Sequence, residues 1–281
     1  MLNFQTIRRI KKQALLYAWN FAVDAGCLTG HEEYTRFVVL GSPRTGSNFL
    51  CSALNIHSQI TAFGELLRWP GTIGWDLLAF RYWPYGQSHN SLNLIRSDPV
   101  EFLKTQVFKM HPKCTGSVGF KLFYFHAREE NWKQVWNYLA NEKNLRIIHL
   151  KRKNLLGAYL SHERALRTNK WVYRSREMPT NPPMKVDAGQ CRTFFEKTRE
   201  WERQCDILFR DHPKIELFYE QLSNNFRQTI LSIQNFLGVN YENLTPATYK
   251  QARLPLSKDI RNYWELKEEF KGTRWAVFFE D

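Results

Sequence analysis

An arginine set in a turn built to receive an anion is the first residue of this sequence with chemistry to offer. The stretch VVLGSPRTGSNFL runs from a β-branched triplet through Gly41, Ser42, Pro43, Arg44, Thr45, Gly46, Ser47 and Asn48 into a helix-like segment. A tight turn into a helix leaves the first backbone N–H groups without intrahelical partners, and the helix dipole favours negative charge there. Gly46 allows close backbone approach, Ser47 and Asn48 open the helix, and Arg44 adds a full charge. The ATP-binding pattern G-x-x-x-x-G-K-[ST] shares the spacing of Gly41 and Gly46, but Ser47 stands where its lysine belongs. No acidic strand end offers itself to Mg²⁺, which weakens a kinase or NTPase reading.

A second basic cluster lies about a hundred residues on, in RIIHLKRKNLLGAYLSHERA (146–165). A strand ends at Lys151, Arg152 and Lys153, and a helix carrying Ser161 follows. An arginine there can grip a phosphate bidentately while the hydroxyl supplies another donor; which of the three cations makes the main contact stays open. The bland reading of either cluster alone is a solvated basic face. The cysteines Cys27, Cys51, Cys114, Cys191 and Cys205 show no C-x-x-C spacing, and the histidines are isolated from them at ligand spacing, so no metal site is expected.

The elements that must position these residues alternate. Strands are expected at 36–40, 60–63, 118–124, 145–150 and 214–219. Helices are expected at 47–55, at 129–140, at 154–166 and at 224–237, with another starting at Ser97 or Asp98 before Pro99. The alternation implies an α/β fold of three layers, a central mostly parallel sheet with helices on both faces. Residues 68–93, rich in Trp, Gly and Pro, and residues 169–187 fit that scheme poorly and read as lids or substrate walls, or as surface elaboration.

Composition bounds the rest. In 281 residues, 40 basic side chains against 27 acidic ones give +13, which favours an anionic partner without choosing one. The basic N-terminal segment 1–33 has an apolar run too short to span a bilayer. It reads as an amphipathic helix packed on a single domain of residues 34–281, or resting peripherally on an anionic membrane. Scattered thiols without pairing point to a reducing, cytoplasmic setting.

PRTGS at 43–47, the Arg152 and Ser161 pair, GELL, VGFKLFY and LFYEQL before FLGV together resemble the sulfotransferases, most closely the bacterial carbohydrate enzymes of nodulation-factor and trehalose-glycolipid type. The spacing from Arg152 to Ser161 is one residue longer than in the animal cytosolic enzymes. The resemblance implies a P-loop-like fold and 3′-phosphoadenosine 5′-phosphosulfate (PAPS) as sulfuryl donor, with no metal required. Residues 43–48 would hold its 5′-phosphosulfate, Arg152 and Ser161 its 3′-phosphate, and Tyr219 would lie near the adenine. Arg44 would also stabilise charge during transfer, with Lys121 as a further cation. Glu65, in the place where carbohydrate enzymes carry a glutamate base, would take the proton, with His111 and His126 next in line. The acceptor would be a small molecule or glycan; the Trp-rich segment 69–83 and Trp171, Tyr173, Arg174 and Arg176 offer rings and cations to stack on or grip it, or equally pack the core or rim. A P-loop kinase and a non-enzymatic nucleic-acid or membrane binder are the alternatives, though no nucleic acid partner is expected. The kinase would require Mg²⁺, and the binder would not need Arg44.

Overall fold

Phe37 and Val39 point to one side of the first strand and Val38 and Leu40 to the other, and all four are buried, so this strand needs cover on both faces. The structure, a computed structural model, describes residues 4–68, 72–75, 88–171, 182–245 and 254–280. Among the described residues five parallel strands form one sheet: β1 (Thr35–Gly41), β2 (Ile60–Phe63), β3 (Ser117–Phe123), β4 (Arg146–Lys151) and β5 (Lys214–Phe218). Their order is β2-β3-β1-β4-β5. The expected α/β architecture with a parallel sheet is therefore the one observed. From β1 the chain moves towards β2 on one side, and from β4 towards β5 on the other. Ligands in such sheets bind beyond the carboxyl ends of strands where the winding diverges, here between β1 and β4.

The longer helices are α1 (Phe4–Asp24), α2 (Ser47–Leu54), α3 (His89–Ser97), α4 (Gln134–Asn141), α5 (Leu155–Thr168), α6 (Ala188–Leu208), α7 (Phe226–Leu237) and α8 (Tyr263–Glu269). On one face of the sheet Val38, Leu40, Phe120 and Leu122 meet Val135, Trp136 and Phe209; on the other Phe37, Val39 and Ile148 meet Leu50, Ile230 and Ile233. A third apolar cluster joins Leu155 and Tyr159 of α5 to Phe195 of α6 and to Tyr263, Phe270, Trp275 and Phe279 near the C-terminus.

Several expected elements are adjusted. The helix expected at 129–140 is a 3₁₀ turn at Glu130–Trp132 followed by α4. Asp98 does cap, accepting from the Glu101 N–H at 2.9 Å, but the α-helical turn Pro99–Phe102 continues as a π-helical one through Val107. Tyr219 is not the end of β5: it opens a short helix, Tyr219–Asn224, because the Gln221 side chain turns back to accept from the Phe218 N–H at 3.2 Å. In α1, Gln13 and Leu16 are buried and the Lys12 ammonium donates to the carbonyls of His57 and Ile60, while Ile7, Ile10 and Leu15 are exposed. Among the described residues no helix is long and apolar enough to cross a membrane.

Candidate active site

The turn after β1 holds a backbone conformation most side chains avoid. Arg44 sits at φ 67° and Gly46 at φ 86°, both left-handed, so Arg44 carries local strain of a kind that clusters at binding sites. Thr45, buried, donates its hydroxyl to the Ser42 carbonyl at 2.8 Å, and the Ser42 hydroxyl lies 3.4 Å from the Pro43 carbonyl. Among the described residues no side chain caps α2 at Gly46, and the first N–H groups of a helix have no intrahelical partner. A side chain at Gly46 would meet the Tyr219 ring at 2.7 Å. The turn is thus closed on one side by that ring.

The two basic clusters come together because β1 and β4 are neighbours. Arg44 Nε donates to Ser161 Oγ on α5 at 2.8 Å and its Nη1 to the Trp171 carbonyl at 2.6 Å. In return Arg152 Nη1 donates to the Arg44 carbonyl at 3.0 Å, and its guanidinium lies 4.8 Å from the centre of the Tyr219 ring. Arg152 is 4% exposed, and its Nε has no hydrogen-bond partner among the described residues. Burial pulls the Arg152 guanidinium down to about 10, which leaves it charged at neutral pH. Of its neighbours, Lys151 turns away to Asp206 (2.8 Å) and Glu216, and the Lys153 ammonium lies over the Phe218 ring. Arg152 is therefore the member of the trio that faces the turn.

Glu65 lies two residues beyond β2, against the carboxyl end of β3. Lys121, fully buried in β3, pairs with Glu65 Oε1 at 3.2 Å and donates to Asn48 Oδ1. One ammonium so links the start of α2 to the carboxylate. His126 Nε2 lies 3.9 Å from Glu65 Oε2. His111 is elsewhere: it bridges to His31 at the amino ends of β1 and β3, with its Nε2 3.0 Å from the Val107 carbonyl, so it does not belong to this site.

His149, Asp206 and Glu216 are the one group among the described residues with ligand atoms close enough, within 4.8 Å, to hold a metal. The Lys151 ammonium donates to both carboxylates and Lys214 to Asp206 at 2.9 Å, so cations of the chain already balance that charge. Hydrogen bonds from His149, Lys151 and Lys214 hold the Asp206 carboxyl well below the usual carboxylate range. This cluster fixes β4 to α6 rather than opening onto the turn.

Two contributors escaped sequence reasoning. Glu220 accepts from the Lys153 N–H at 3.1 Å and lies 3.9 Å from Arg152 Nε, and Asp206 draws Lys151 aside. The E in LFYEQL was the available signal for the first; nothing local marks the second. Tyr173, Arg174, Arg176 and most of the Trp-rich segment 69–83 lie outside the described residues. Trp275, in the C-terminal KGTRW, is packed in the third apolar cluster.

No protein-family model matches the sequence. Over 251 residues it is 25% identical to nodulation protein H of Rhizobium tropici, covering 87% of this chain and 92% of that protein. Nodulation protein H of Rhizobium meliloti (strain 1021) is 26% identical over 251 residues, 87% of this chain and 94% of its own length. Over most of its length the chain is similar to nodulation protein H. The resemblance to the nodulation-type group, stated above from the motifs, is borne out over most of the chain. The crystal structure of a sulfotransferase from Alicyclobacillus acidocaldarius superposes with a TM-score of 0.45 and 13% identity, covering 86% of this chain and 91% of that one.

Proposed function

We propose that the protein is a sulfotransferase that moves the sulfuryl group of PAPS to a hydroxyl of a carbohydrate or glycolipid acceptor. The observation that carries this reading is the closure of two anion-binding motifs into one site, through the Arg44–Ser161 and Arg152–Arg44 hydrogen bonds. A donor with phosphates at both the 5′ and 3′ positions needs two such grips on either side of one ribose. The residues fit it: Arg152 Nε is buried and makes no hydrogen bond among the described residues, with the Glu220 carboxylate 3.9 Å away; no side chain of the described residues caps the start of α2; and Gly46 leaves no room for a side chain where the backbone must come close.

The donor, when bound, supplies an activated sulfuryl group and a phosphate leaving group. The N–H groups of Thr45 to Asn48 offer fixed donors to the oxygens that gain charge, where preorganised dipoles act most strongly. In ATP-binding loops the residue at the Asn48 position is a hydroxyl that holds Mg²⁺. Here Asn48 instead accepts from the Lys121 ammonium, so the chain places its own cation beside the transfer path. Glu65, 22% exposed at its side chain and steadied by Lys121, is the group that accepts the acceptor's proton.

A screen of ³⁵S-labelled PAPS over sugars, glycolipids and phenols tests the reading. Transfer is expected to a sugar hydroxyl, and Glu65→Gln should lower turnover by about 100-fold or more while leaving adenosine 3′,5′-bisphosphate binding intact. Full turnover in Glu65→Gln would remove Glu65 from the role of base.

A further inference from the structure

The chain just beyond β3 folds back on itself, and it does so around a histidine. Residue 127 takes a left-handed φ of 51°, and the His126 N–H donates to the Phe123 carbonyl at 2.9 Å. The Phe123 N–H then donates to His126 Nδ1 at 3.2 Å. That bond fixes the tautomer: Nδ1 is the acceptor, so the single proton of a neutral imidazole sits on Nε2. The Trp136 indole N–H donates to the His126 carbonyl at 3.0 Å, and the rings of Phe123 and Phe125 flank the imidazole at 5.1 and 4.9 Å. His126 is 4% exposed and its Nε2 has no hydrogen-bond partner among the described residues. A buried donor left this way costs free energy unless something in the working molecule uses it.

The atom it faces is Glu65 Oε2 at 3.9 Å, while Lys121 holds Oε1 at 3.2 Å. A closure of about 1 Å would make the Nε2–H to Oε2 contact a hydrogen bond. Burial first, then the charges of Lys121 and Arg68, pull the imidazole down to about 3, so it stays neutral through the physiological range. A neutral ring whose lone pair is already taken by the Phe123 N–H has nothing with which to accept a substrate proton. It does have an N–H to offer.

We infer that His126 is a positioning residue, whose Nε2–H orients the second oxygen of Glu65 while Lys121 holds the first. The inference rests on the reading of Glu65 as the base. It explains why a histidine lies at the site without being the base itself. A protonated imidazole there would neutralise the carboxylate it serves; a neutral donor directs it.

Nitrogen-15 histidine labelling and NMR of the full chain test the contact without an acceptor. The expected spectrum assigns the proton of His126 to Nε2, shows no titration between pH 5 and 8, and shifts the Nε2 resonance in Glu65→Gln. A proton on Nδ1, a titration midpoint within that range, or an Nε2 signal indifferent to Glu65→Gln would overturn the inference. Turnover of PAPS with a pool of disaccharide acceptors supplies the functional arm. His126→Asn keeps an acceptor for the Phe123 N–H but has no atom at the Nε2 place, and it should lose about tenfold in kcat with KM for PAPS within about twofold. His126→Gln, which puts an amide N–H near that place, should recover most of the loss. If His126→Asn does not fold, His126→Phe keeps the bulk without the donor and should show the same loss. Wild-type kcat in the donorless variant, with Glu65→Gln inactive, sinks the positioning role and leaves the base assignment standing. An active Glu65→Gln sinks the base assignment itself.

Discussion

Gly46 is where backbone, ring and charge meet. Its left-handed φ of 86° is one that a side chain tolerates only at a cost of about 1–2 kcal/mol. An added Cβ would also push the Tyr219 ring, 2.7 Å away, and Arg152 lies over that same ring. Gly46→Ala should therefore lower the thermal midpoint by a few degrees and weaken adenosine 3′,5′-bisphosphate binding by about tenfold or more; melting curves and titration calorimetry check both. Unchanged affinity would separate the Tyr219 ring from the nucleotide site. The turn itself was legible in the sequence because its chemistry is local: glycine spacing, a strand before it and a helix after it. The pairing of Lys121 with both Asn48 and Glu65, and of Glu65 with His126, was not. Those side chains meet through the β1–β3 and β2–β3 register, a long-range fact that no local pattern encodes.

At the scale of elements, α5 carries Ser161 and is held from two sides. Asn154 caps it, accepting from the Gly157 N–H at 3.0 Å, and its own amide donates to the Phe278 carbonyl at 3.0 Å. The Phe278 ring packs edge-on to Phe195 at 5.0 Å and stacks with Trp275 at 5.7 Å. Phe278→Ala should cost about 3–5 kcal/mol in a urea melt and speed amide exchange in the first turn of α5. A loss of stability without faster exchange there would show that the C-terminal segment does not steady α5. Strands β1 to β4 were readable because buried apolar runs are short and bounded by turns, and β2 was read to the residue; β5, where only Leu217 is buried, was readable from the alternation of Ile215 and Leu217 with polar residues. Helix α6 was not. Its buried positions include Thr198 and Glu202 among Cys191, Phe195 and Cys205, so no clean apolar stripe advertises a helix of 21 residues. Tyr219 was misplaced for a similar reason: FYE reads as strand, and the turn back of Gln221 ends it.

Across the whole molecule, buried neutral histidines set how it responds to acid. Burial is the main cause that pulls His111 down to about 4 and His126 to about 3, from an ordinary 6.5. The unfolded chain therefore binds more protons than the folded one between these values. Stability is fully present above about pH 6.5 and is lost as the pH falls towards 4, with roughly 3 kcal/mol attached to His111 alone. Glu202, whose carboxyl burial pushes up, works in the opposite sense, so the contrast is read from a variant. The urea midpoint should fall between pH 7 and 4.5, and fall less in His111→Gln; equal slopes would contradict the assignment. The excess of basic residues, 40 against 27, adds attraction for an anionic donor that salt should weaken.

The proposed function requires that one site, closed by Arg44, Arg152 and Ser161, binds a nucleotide phosphorylated at both the 5′ and 3′ positions. Calorimetric titration of adenosine 3′,5′-bisphosphate in the presence of a metal chelator tests it most directly, with ADP and Mg²⁺–ATP as comparisons. Saturable, metal-independent binding at least about tenfold tighter than either comparison is expected, reduced by about tenfold or more in Arg152→Ala. Tighter binding of Mg²⁺–ATP, or bisphosphate affinity unchanged in Arg152→Ala, would contradict it.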